Sequence, residues 1–335
     1  MTDLLKKVFE GEPLDREEAH RAMGLVMDGQ VTPAQLAGLL VALKLRGERL
    51  DEIVGFAQAL RQRATPVKVK RSPLLDTCGT GGDGAGTFNV STTVAFIAAG
   101  AGAAVAKHGN RAVSSKSGSA DVLEALGVKT DLSAEQAARC VEEAGIGFLF
   151  APVLHPAMKQ AAPVRKELGV RTVFNVLGPL VNPAGAKRQL LGVYSPRLVP
   201  LLAHALGELG SEEAIVVSSR DGLDELSLRA PAAVAHLKDG RVEEYELDAA
   251  AFGFAKREAS AYAGGDAQTN ARILLSVLRG DEGGPLDLSL WNAAAALIAA
   301  GLAADMREGL ERSREAVRSG KAMAALEALT RLSRA

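Results

Sequence analysis

Apolar residues recur at helical spacing through the first 65 residues of the chain. Three stripes show this pattern: Ala19, Ala22, Met23 and Val26, then Leu36, Leu39, Leu40 and Leu43, then Ile53, Phe56, Ala57 and Leu60. The second stripe follows Thr32–Gln35, which offers an N-cap threonine, a proline at the first helical position and a capping-box glutamine. Three short helices cannot bury such stripes alone. We therefore expect a small helical domain that packs against the rest of the chain or another subunit.

The pattern changes after a linker marked by Thr65–Pro66 and Ser72–Pro73. Short apolar runs now alternate with helical stripes, which indicates an α/β part that begins at Leu74. The predicted strands are Ala103–Ala106, Ile146–Ala151 and Ala214–Val217, with a hairpin of Val234–Leu237 and Val242–Leu247 around Asp239–Gly240. The predicted later helices are one that opens at Ser133–Gln136, then Thr269–Leu278, Trp291–Leu302 and Met306–Leu332. Trp291 is expected in the core.

A glycine-rich loop separates the short apolar run at Leu74 from a helical stripe at residues 94–98. Its glycines are Gly79, Gly81, Gly82, Gly84 and Gly86. Glycines let backbone N–H groups approach a ligand, and a helix N-terminus adds further donors, so the combination favours phosphate binding. The loop has neither a P-loop ending nor a dinucleotide-binding fingerprint. Tight-turn packing remains an alternative, and Asn89, Ser91 and Thr92 could cap the helix instead of binding phosphate.

A second polar segment follows the predicted strand Ala103–Ala106. It contains Lys107, His108, Gly109, Asn110 and Arg111, followed by Lys116 and the serines 114, 115, 117 and 119. Ligands of open parallel sheets lie at the carboxyl ends of the strands. Together with the glycine loop, this segment suits a ligand that carries two separate phosphate groups. The alternative is a solvated loop in which Ser119 caps a helix from Ala120 to Leu126.

Three further positions carry candidate chemistry. Arg165 could pair with a planar carboxylate, although a helix arginine is commonly just solvated. Asp224 and Glu225 follow a predicted strand and suit a hard cation that also binds phosphates, although adjacent acids on a loop are commonly solvated. His155 follows Ile146–Ala151 and is either a site residue or a packed histidine.

Composition narrows the functional classes. The chain has 335 residues, with 39 basic and 40 acidic side chains and a net charge of −1, which argues against a general nucleic-acid binder. Two cysteines, Cys78 and Cys140, are too few for a disulfide framework. We expect no signal peptide, no membrane span, reduced thiols and a cytoplasmic location.

Three motifs together resemble the anthranilate phosphoribosyltransferase family. They are GTGGDGAGTFNVST (79–92), KHGNRAVSSKSGSADVLEALG (107–127) and RTVFNVLGPLVNPA (171–184). The first two are shared in looser form with pyrimidine nucleoside phosphorylases. The resemblance implies a helical domain of residues 1–70, joined by about residues 165–185. It also implies an α/β domain of residues 71–335 with a central, mostly parallel sheet.

The resemblance also implies a reaction. Phosphoribosyl pyrophosphate (PRPP) and anthranilate would give N-(5-phosphoribosyl)anthranilate and pyrophosphate, a step of tryptophan biosynthesis. Mg²⁺ would be the cofactor, and the enzyme would be a homodimer through the helical domain. We assign no acid–base group, because catalysis would rest on positioning and charge stabilisation. The alternatives are a pyrimidine nucleoside phosphorylase and a non-enzymatic nucleic-acid-binding relative of the same fold.

The resemblance assigns site residues by motif position. Those expected to bind PRPP are Gly79, Thr80, Gly81, Gly82, Asp83, Thr87, Asn89, Val90, Ser91, Thr92, Lys107, His108, Gly109, Asn110, Arg111, Ala112, Val113, Ser114, Ser115 and Ser119. Gly79, Asn110 and Arg165 would position anthranilate. Ser91, Asp224 and Glu225 would bind Mg²⁺.

Overall fold

The chain opens with four helices, one more than the apolar stripes predicted. A computed structural model describes residues 1–112 and 116–335. The four helices are α1 (Thr2–Phe9), α2 (Arg16–Met27), α3 (Pro33–Arg46) and α4 (Leu50–Gln62). Helix α1 was missed because its eight residues hold only one short apolar face, of Leu4, Leu5 and Val8. The capping box predicted at Thr32–Gln35 is confirmed, with both reciprocal bonds present.

A seven-stranded sheet lies at the centre of the α/β part. Its strands are β1 (Leu74–Asp76), β2 (Ala104–Gly109), β3 (Ile146–Phe150), β4 (Arg188–Gly192), β5 (Glu213–Ser219), β6 (Ala232–Lys238) and β7 (Arg241–Leu247). The order is β3-β2-β1-β4-β5-β6-β7. The first five strands in that order pair in parallel, and β6 and β7 are antiparallel. The mostly parallel sheet expected from the resemblance is therefore confirmed.

Two details of the strands bear on the predictions. Asp239 and Gly240 both have positive φ, 49° and 73°, as a tight two-residue hairpin turn requires, so the predicted hairpin is confirmed. The prediction that a strand ends at Ala106 was wrong, because β2 continues to Gly109. Lys107 and His108 are therefore strand residues, each 3% exposed, and do not belong to a solvated loop.

Eleven more helices of the described chain follow the bundle. They are α5 (Val90–Gly100), α6 (Ser119–Ala125), α7 (Ala134–Ala144), α8 (Ala151–Leu154), α9 (Ala162–Leu168), α10 (Phe174–Leu177), α11 (Leu198–Glu208), α12 (Ala267–Arg279), α13 (Gly284–Ala299), α14 (Met306–Arg318) and α15 (Lys321–Ser333). The prediction of a single helix from Met306 to Leu332 was wrong. The chain turns at Ser319–Gly320, where Gly320 has φ 74°, a left-handed conformation that ends a right-handed helix.

The buried apolar residues form two clusters. The larger one lies around the sheet with α5, α7 and α12–α15, and includes Trp291 at 1% exposure, as predicted. The second cluster joins α1–α4 to apolar side chains of residues 161–181, to α11 and to part of the sheet. Arg61 of α4 reinforces this junction, since its guanidinium donates to the carbonyls of Leu180 and Leu209, both at 2.8 Å. The exact domain limits at residues 70/71 stay a prediction.

Within the described residues, none of the helices has the length and apolarity needed to cross a bilayer. Cys78 and Cys140 are both free thiols.

Candidate active site

The glycine loop connects β1 to α5 and has the backbone conformation that its glycines permit. Gly81, Gly82, Gly84 and Gly86 all have positive φ, between 62° and 80°, a region that other residues rarely adopt. The loop is anchored to the neighbouring strand, because the N–H of Thr80 donates to the carbonyl of Gly192 at 2.9 Å. The expected order of strand, glycine loop and helix is confirmed.

A buried lysine faces the start of α5. The Nζ atom of Lys107 lies 3.3 Å from the hydroxyl oxygens of both Thr77 and Ser91. Within the described chain, Lys107 has no carboxylate at ion-pair distance. A buried ammonium next to a helix N-terminus is a strong attraction for an anion.

Three carboxylates, those of Asp83, Asp224 and Glu225, lie close together at the same loop. The backbone N–H of Asp224 lies 3.4 Å from Oδ2 of Asp83. Burial raises the pKa of Asp224 well above its ordinary value, and the like charges of Asp83 and Glu225 add to the effect. Burial likewise raises the pKa of Glu225 to about 8, although the Lys107 charge and the backbone N–H of Ser91 favour its ionised form. Carboxylates that repel each other in a partly buried site are stabilised by a divalent cation.

This geometry brings the three predicted metal ligands into one neighbourhood, since Glu225 and Lys107 both contact Ser91. It also adds Asp83, which the resemblance assigned to PRPP binding and not to the metal. The signal was available, because an aspartate within a glycine loop at a sheet edge is itself a candidate ligand. What could not be read from the sequence was its proximity to Asp224, 141 residues later.

The second polar segment is only partly described. Val113, Ser114 and Ser115 lie outside the described residues. Arg111 is paired with Asp121 and Glu124 of α6, at 3.0 and 2.6 Å, so its charge is already balanced. The Asn110 side chain accepts from the N–H of Arg111 at 2.7 Å.

Ser119 does not have the capping role that the solvated-loop alternative gave it. The idea that Ser119 caps α6 was wrong, because Gly118 is the N-cap and Ser119 is the first helical residue. The cap is completed by Asp121, whose carboxylate accepts from the N–H of Gly118 at 2.8 Å. The hydroxyl of Ser119 instead donates to the carbonyl of Asn110 at 3.1 Å.

A buried aspartate, which the sequence analysis did not single out, ties these segments together. One oxygen of Asp76 accepts from the N–H groups of Cys78 and His108, both at 3.1 Å, and the other accepts from Asn182 at 2.7 Å. Burial raises the pKa of Asp76 to about 6, which Lys107 partly opposes. Ligand atoms of Asp76, Cys78 and His108 also lie within 4.8 Å of one another. Since three N–H donors already occupy the carboxylate, we interpret this cluster as structural.

His108 and His155 form a buried pair. Their ring centroids are 5.0 Å apart, and Nδ1 of His108 lies 3.2 Å from the carbonyl oxygen of Gly178. Burial lowers the pKa of His108 to about 3 and that of His155 to about 4, so both are neutral at pH 7. The His108 side chain thus faces the turn at Gly178, whereas Lys107 faces Ser91.

Arg165 lies on α9 and is partly buried rather than freely solvated. Its guanidinium carbon is 4.8 Å from the centre of the Phe174 ring, and burial lowers its pKa. None of the described carboxylates forms an ion pair with it. A partly buried arginine without an acidic partner favours the carboxylate-binding interpretation that the sequence left open.

The remaining predicted residues lie around the same loop. Thr87 forms an isolated bridge with Ala263, and Val90 is the first residue of α5. Asn89 precedes it without capping the helix through its side chain. The Thr92 hydroxyl is buried and has no hydrogen-bond partner in the described structure.

Comparison with family models places both parts of the chain in one family. Residues 2–64 match the helical bundle domain of a glycosyl transferase family, and residues 71–323 match the a/b domain of a glycosyl transferase family. The two matches together cover most of the chain.

Comparison with individual proteins is more specific. The chain is 54% identical to the anthranilate phosphoribosyltransferase of Anaeromyxobacter dehalogenans strain 2CP-C, over 97% of this chain and 96% of that protein. It is 52% identical to the Rubrobacter xylanophilus enzyme of the same name, over 100% and 98%. Among solved structures, the Thermus thermophilus anthranilate phosphoribosyltransferase matches with a TM-score of 0.94 and 48% identity, over 99% of this chain and 100% of that one. The Saccharomyces cerevisiae enzyme in complex with PRPP and Mg matches with a TM-score of 0.91 and 30% identity, over 99% and 97%.

Proposed function

This chain belongs to the anthranilate phosphoribosyltransferases, and from that premise we propose how its residues carry out the reaction. The enzyme transfers the phosphoribosyl group of PRPP to the amine of anthranilate, releasing pyrophosphate, in tryptophan biosynthesis. The observation that carries the residue assignments is the glycine loop, beside which a buried lysine and three carboxylates lie close together.

PRPP binds along this loop in the proposal. Backbone N–H groups of Gly79–Asp83 hold the pyrophosphate, and Asn89–Thr92 at the start of α5 hold the 5-phosphate. The Lys107 ammonium, which has no carboxylate at ion-pair distance in the described chain, balances phosphate charge. The segment from Gly109 to Ser119 borders the sugar. Its central residues lie outside the described chain.

Asp224, Glu225, Asp83 and Ser91 fit a bound Mg²⁺. The fit rests on the convergence of these oxygen donors, since the N–H of Asp224 lies 3.4 Å from Oδ2 of Asp83 and Glu225 contacts Ser91. The raised pKa values of Asp224 and Glu225 agree with it, because a nearby cation would favour their ionised forms. When bound, Mg²⁺ neutralises charge on the departing pyrophosphate. A structure of the yeast relative contains PRPP and Mg, which supports the same cofactor here.

Anthranilate binds between Arg165, Asn110 and Gly79 in the proposal. The planar guanidinium of Arg165 matches a carboxylate through two parallel hydrogen bonds, and Phe174 holds its plane by stacking. The amine then faces the anomeric carbon of PRPP. An aniline-type amine is already neutral at pH 7, so it attacks without a strong base. The C–N bond to the anomeric carbon forms as the C–O bond to pyrophosphate breaks, and the nitrogen then releases one proton to solvent water.

The homodimer and the cytoplasmic location expected from the resemblance remain proposals. Support for the dimer comes from Phe9, Val41 and Leu45 on α1 and α3, whose exposures are 62%, 40% and 82%. The free thiols of Cys78 and Cys140 are consistent with a reducing compartment.

The reaction is tested by the loss of anthranilate fluorescence on addition of PRPP and Mg²⁺. We expect the signal to fall only when both are present. In the control assay, thymidine and phosphate replace anthranilate and PRPP, and thymine release is measured. Thymine release there, without loss of anthranilate fluorescence in the first assay, would favour the phosphorylase alternative.

The metal site is tested by Asp224→Asn combined with Glu225→Gln. Because both carboxylate charges are removed, we expect the Mg²⁺ concentration for half-maximal activity to rise at least about tenfold. The exposed pair Arg220 and Glu246, on nearby surface positions, offers a control in Glu246→Gln. Unchanged Mg²⁺ activation in the double variant would exclude both residues as ligands.

A further inference from the structure

A buried side chain of α12, Asn270, lies outside the three sequence motifs and contacts the residue that precedes α5. Asn270 of α12 is 2% exposed, and its Nδ2 lies 2.8 Å from Oδ1 of Asn89. Nδ2 of Asn89 in turn lies 3.1 Å from the carbonyl oxygen of Ser117. Asn89 therefore connects α12, the end of the glycine loop and the second polar segment.

The direction of this hydrogen-bond chain is determined at both ends. The oxygen and nitrogen of an asparagine amide are usually assigned from their partners. Here the N–H of Gly265 lies 2.7 Å from Oδ1 of Asn270, and a backbone N–H can only donate. At the other end, the carbonyl of Ser117 can only accept. The Nδ2 of Asn270 must therefore donate to Oδ1 of Asn89, and the Nδ2 of Asn89 must donate to Ser117.

This direction matters for a phosphate ligand. Phosphate oxygens accept hydrogen bonds, so an amide oxygen turned toward them is repelled and an amide N–H is attracted. Asn270 occupies the Oδ1 of Asn89 and keeps that oxygen away from the ligand. In the part of the chain that the structure describes, Ser117 is the acceptor for Nδ2 of Asn89, so the second N–H remains available to donate.

The position of Asn270 is itself held by the backbone around it. The preceding segment runs along the glycine loop, with Thr87 and Ala263 in an isolated bridge. The N–H of Gly264 donates to the carbonyl of Gly86 at 2.8 Å. Asn270 is thus attached to the loop that it orients.

We propose that Asn270 is a positioning residue for PRPP, which acts by orienting the Asn89 carboxamide toward the 5-phosphate. The proposal rests on the proposed role of Asn89 in binding that phosphate. It adds a residue from a segment far from the motifs, and it assigns Asn270 an effect on one substrate only.

The test is Asn270→Asp, read as separate KM values for the two substrates. Aspartate has the same shape and can still accept from Gly265, but its carboxylate cannot donate to Asn89. We expect the KM for PRPP to rise about tenfold and the KM for anthranilate to change less than about twofold. Gln268→Ala, an exposed neutral position on the same helix, is the matched control and should leave both KM values unchanged.

A double-mutant cycle separates positioning from a general structural effect. Asn89→Ala should itself raise the KM for PRPP, and Asn270→Asp added to it should cause no further rise. Additive effects, or equal increases for both substrates, would overturn the role of Asn270. If Asn89→Ala has no effect, the phosphate role of Asn89 fails, and the proposal fails with it. Should Asn270→Asp unfold, as judged by circular dichroism, Asn270→Ser replaces it in the same cycle, because the shorter side chain lacks the amide N–H that donates to Asn89.

Discussion

At the scale of single residues, the site contains cations and acids that lack the partners a folded chain normally provides. Lys107 is buried beside two hydroxyls, and Arg165 stacks on a phenylalanine instead of pairing with an acid. Asp224 and Glu225 lie together despite like charge. Each arrangement costs stability without a ligand. In the proposed function, bound substrates and a cation supply these partners.

Arg165→Ala tests the carboxylate role. Since the guanidinium would make two charge-assisted hydrogen bonds to anthranilate, we expect its KM to rise about tenfold or more, with a much smaller change for PRPP. Steady-state kinetics with each substrate varied in turn gives the comparison. Lys166→Ala, exposed on the same helix, is the control. Equal increases in both KM values would remove the carboxylate role.

The buried histidine pair predicts a pH dependence of stability. Burial holds the pKa of His108 at about 3 and that of His155 at about 4 in the folded state, below the ordinary value of about 6.5. The unfolded chain therefore binds more protons as the pH falls below about 6.5. The stabilisation is present above that pH and is lost as the pH falls toward the folded-state pKa values.

Urea unfolding at pH 7 and pH 5 measures the size of this loss. We expect about 2 kcal/mol per histidine across that interval. The pKa of Asp76 is raised to about 6, so protonation of Asp76 stabilises the folded protein as the pH falls. Because this opposes the effect of the histidines, the contribution of His155 is measured by comparison with a variant. His155→Asn should lose about 2 kcal/mol less than the parent protein between the two pH values. Identical losses would mean that His155 is not a buried neutral histidine.

At the scale of secondary-structure elements, the ends of parallel strands assemble the site. Strand β1 leads into the glycine loop, β2 ends with Lys107 to Gly109, and β5 leads into the turn that bears Asp224. Strand β4 lies between β1 and β5 and ends at Gly192. The carbonyl of Gly192 accepts from the N–H of Thr80 at 2.9 Å. These segments meet because strands β1, β2, β4 and β5 are neighbours in the sheet.

Gly192→Ala tests this convergence. A Cβ atom at residue 192 would overlap the carbonyl oxygen of Asp224, so the Asp224–Glu225 turn must move. We expect activity to fall by at least about tenfold and the free energy of unfolding to decrease by about 1–3 kcal/mol, as for other overpacked sites. Gly178→Ala is the control for stability, because no heavy atom lies within 4 Å of its Cβ position. Full activity of Gly192→Ala would show that the turn is not held there.

At the scale of the whole molecule, the proposed site residues come from segments that pack in two different apolar clusters. The glycine loop and the sheet are packed by the larger cluster, whereas the segment that carries Arg165 packs with the four N-terminal helices. Arg165, which we propose to bind the anthranilate carboxylate, thus belongs to a differently packed part of the chain from the glycine loop that we propose to bind PRPP. Their relative placement depends on contacts such as those of Arg61 with Leu180 and Leu209.

Exposed apolar side chains on the helical bundle predict a dimer. Leu45 and Val41 are one turn apart on α3, with exposures of 82% and 40%, and burying them against a second copy would be favourable. We expect the protein to elute as a dimer in size-exclusion chromatography with light scattering, and Val41→Glu with Leu45→Glu to give monomers. Ala324→Glu, exposed on α15, is the control. A monomeric parent protein would contradict the dimer.

Local signals predicted much of the fold. The capping box at Thr32, the hairpin turn at Asp239–Gly240 and the glycine loop were all confirmed, because each depends on residues close in sequence. Boundaries were less accurate. Helix α1 was too short to show a pattern, and Gly320 was not recognised as a helix end. The end of β2 was placed early because Lys107 and His108 are polar, yet both are buried.

The candidate site likewise has features that the sequence predicted and features that it could not predict. The amino-acid sequence by itself determined the family, because its motifs are contiguous and the match extends over the whole length, and it supplied the segments that we propose to carry phosphate, metal and carboxylate chemistry. Only the tertiary structure decided which distant side chains meet: Asp83 with Asp224, Asp76 with Asn182, and Asn89 with Asn270. The physical reason is that such contacts depend on which strands and helices become neighbours, and the periodicity of a single segment carries no information about its neighbours.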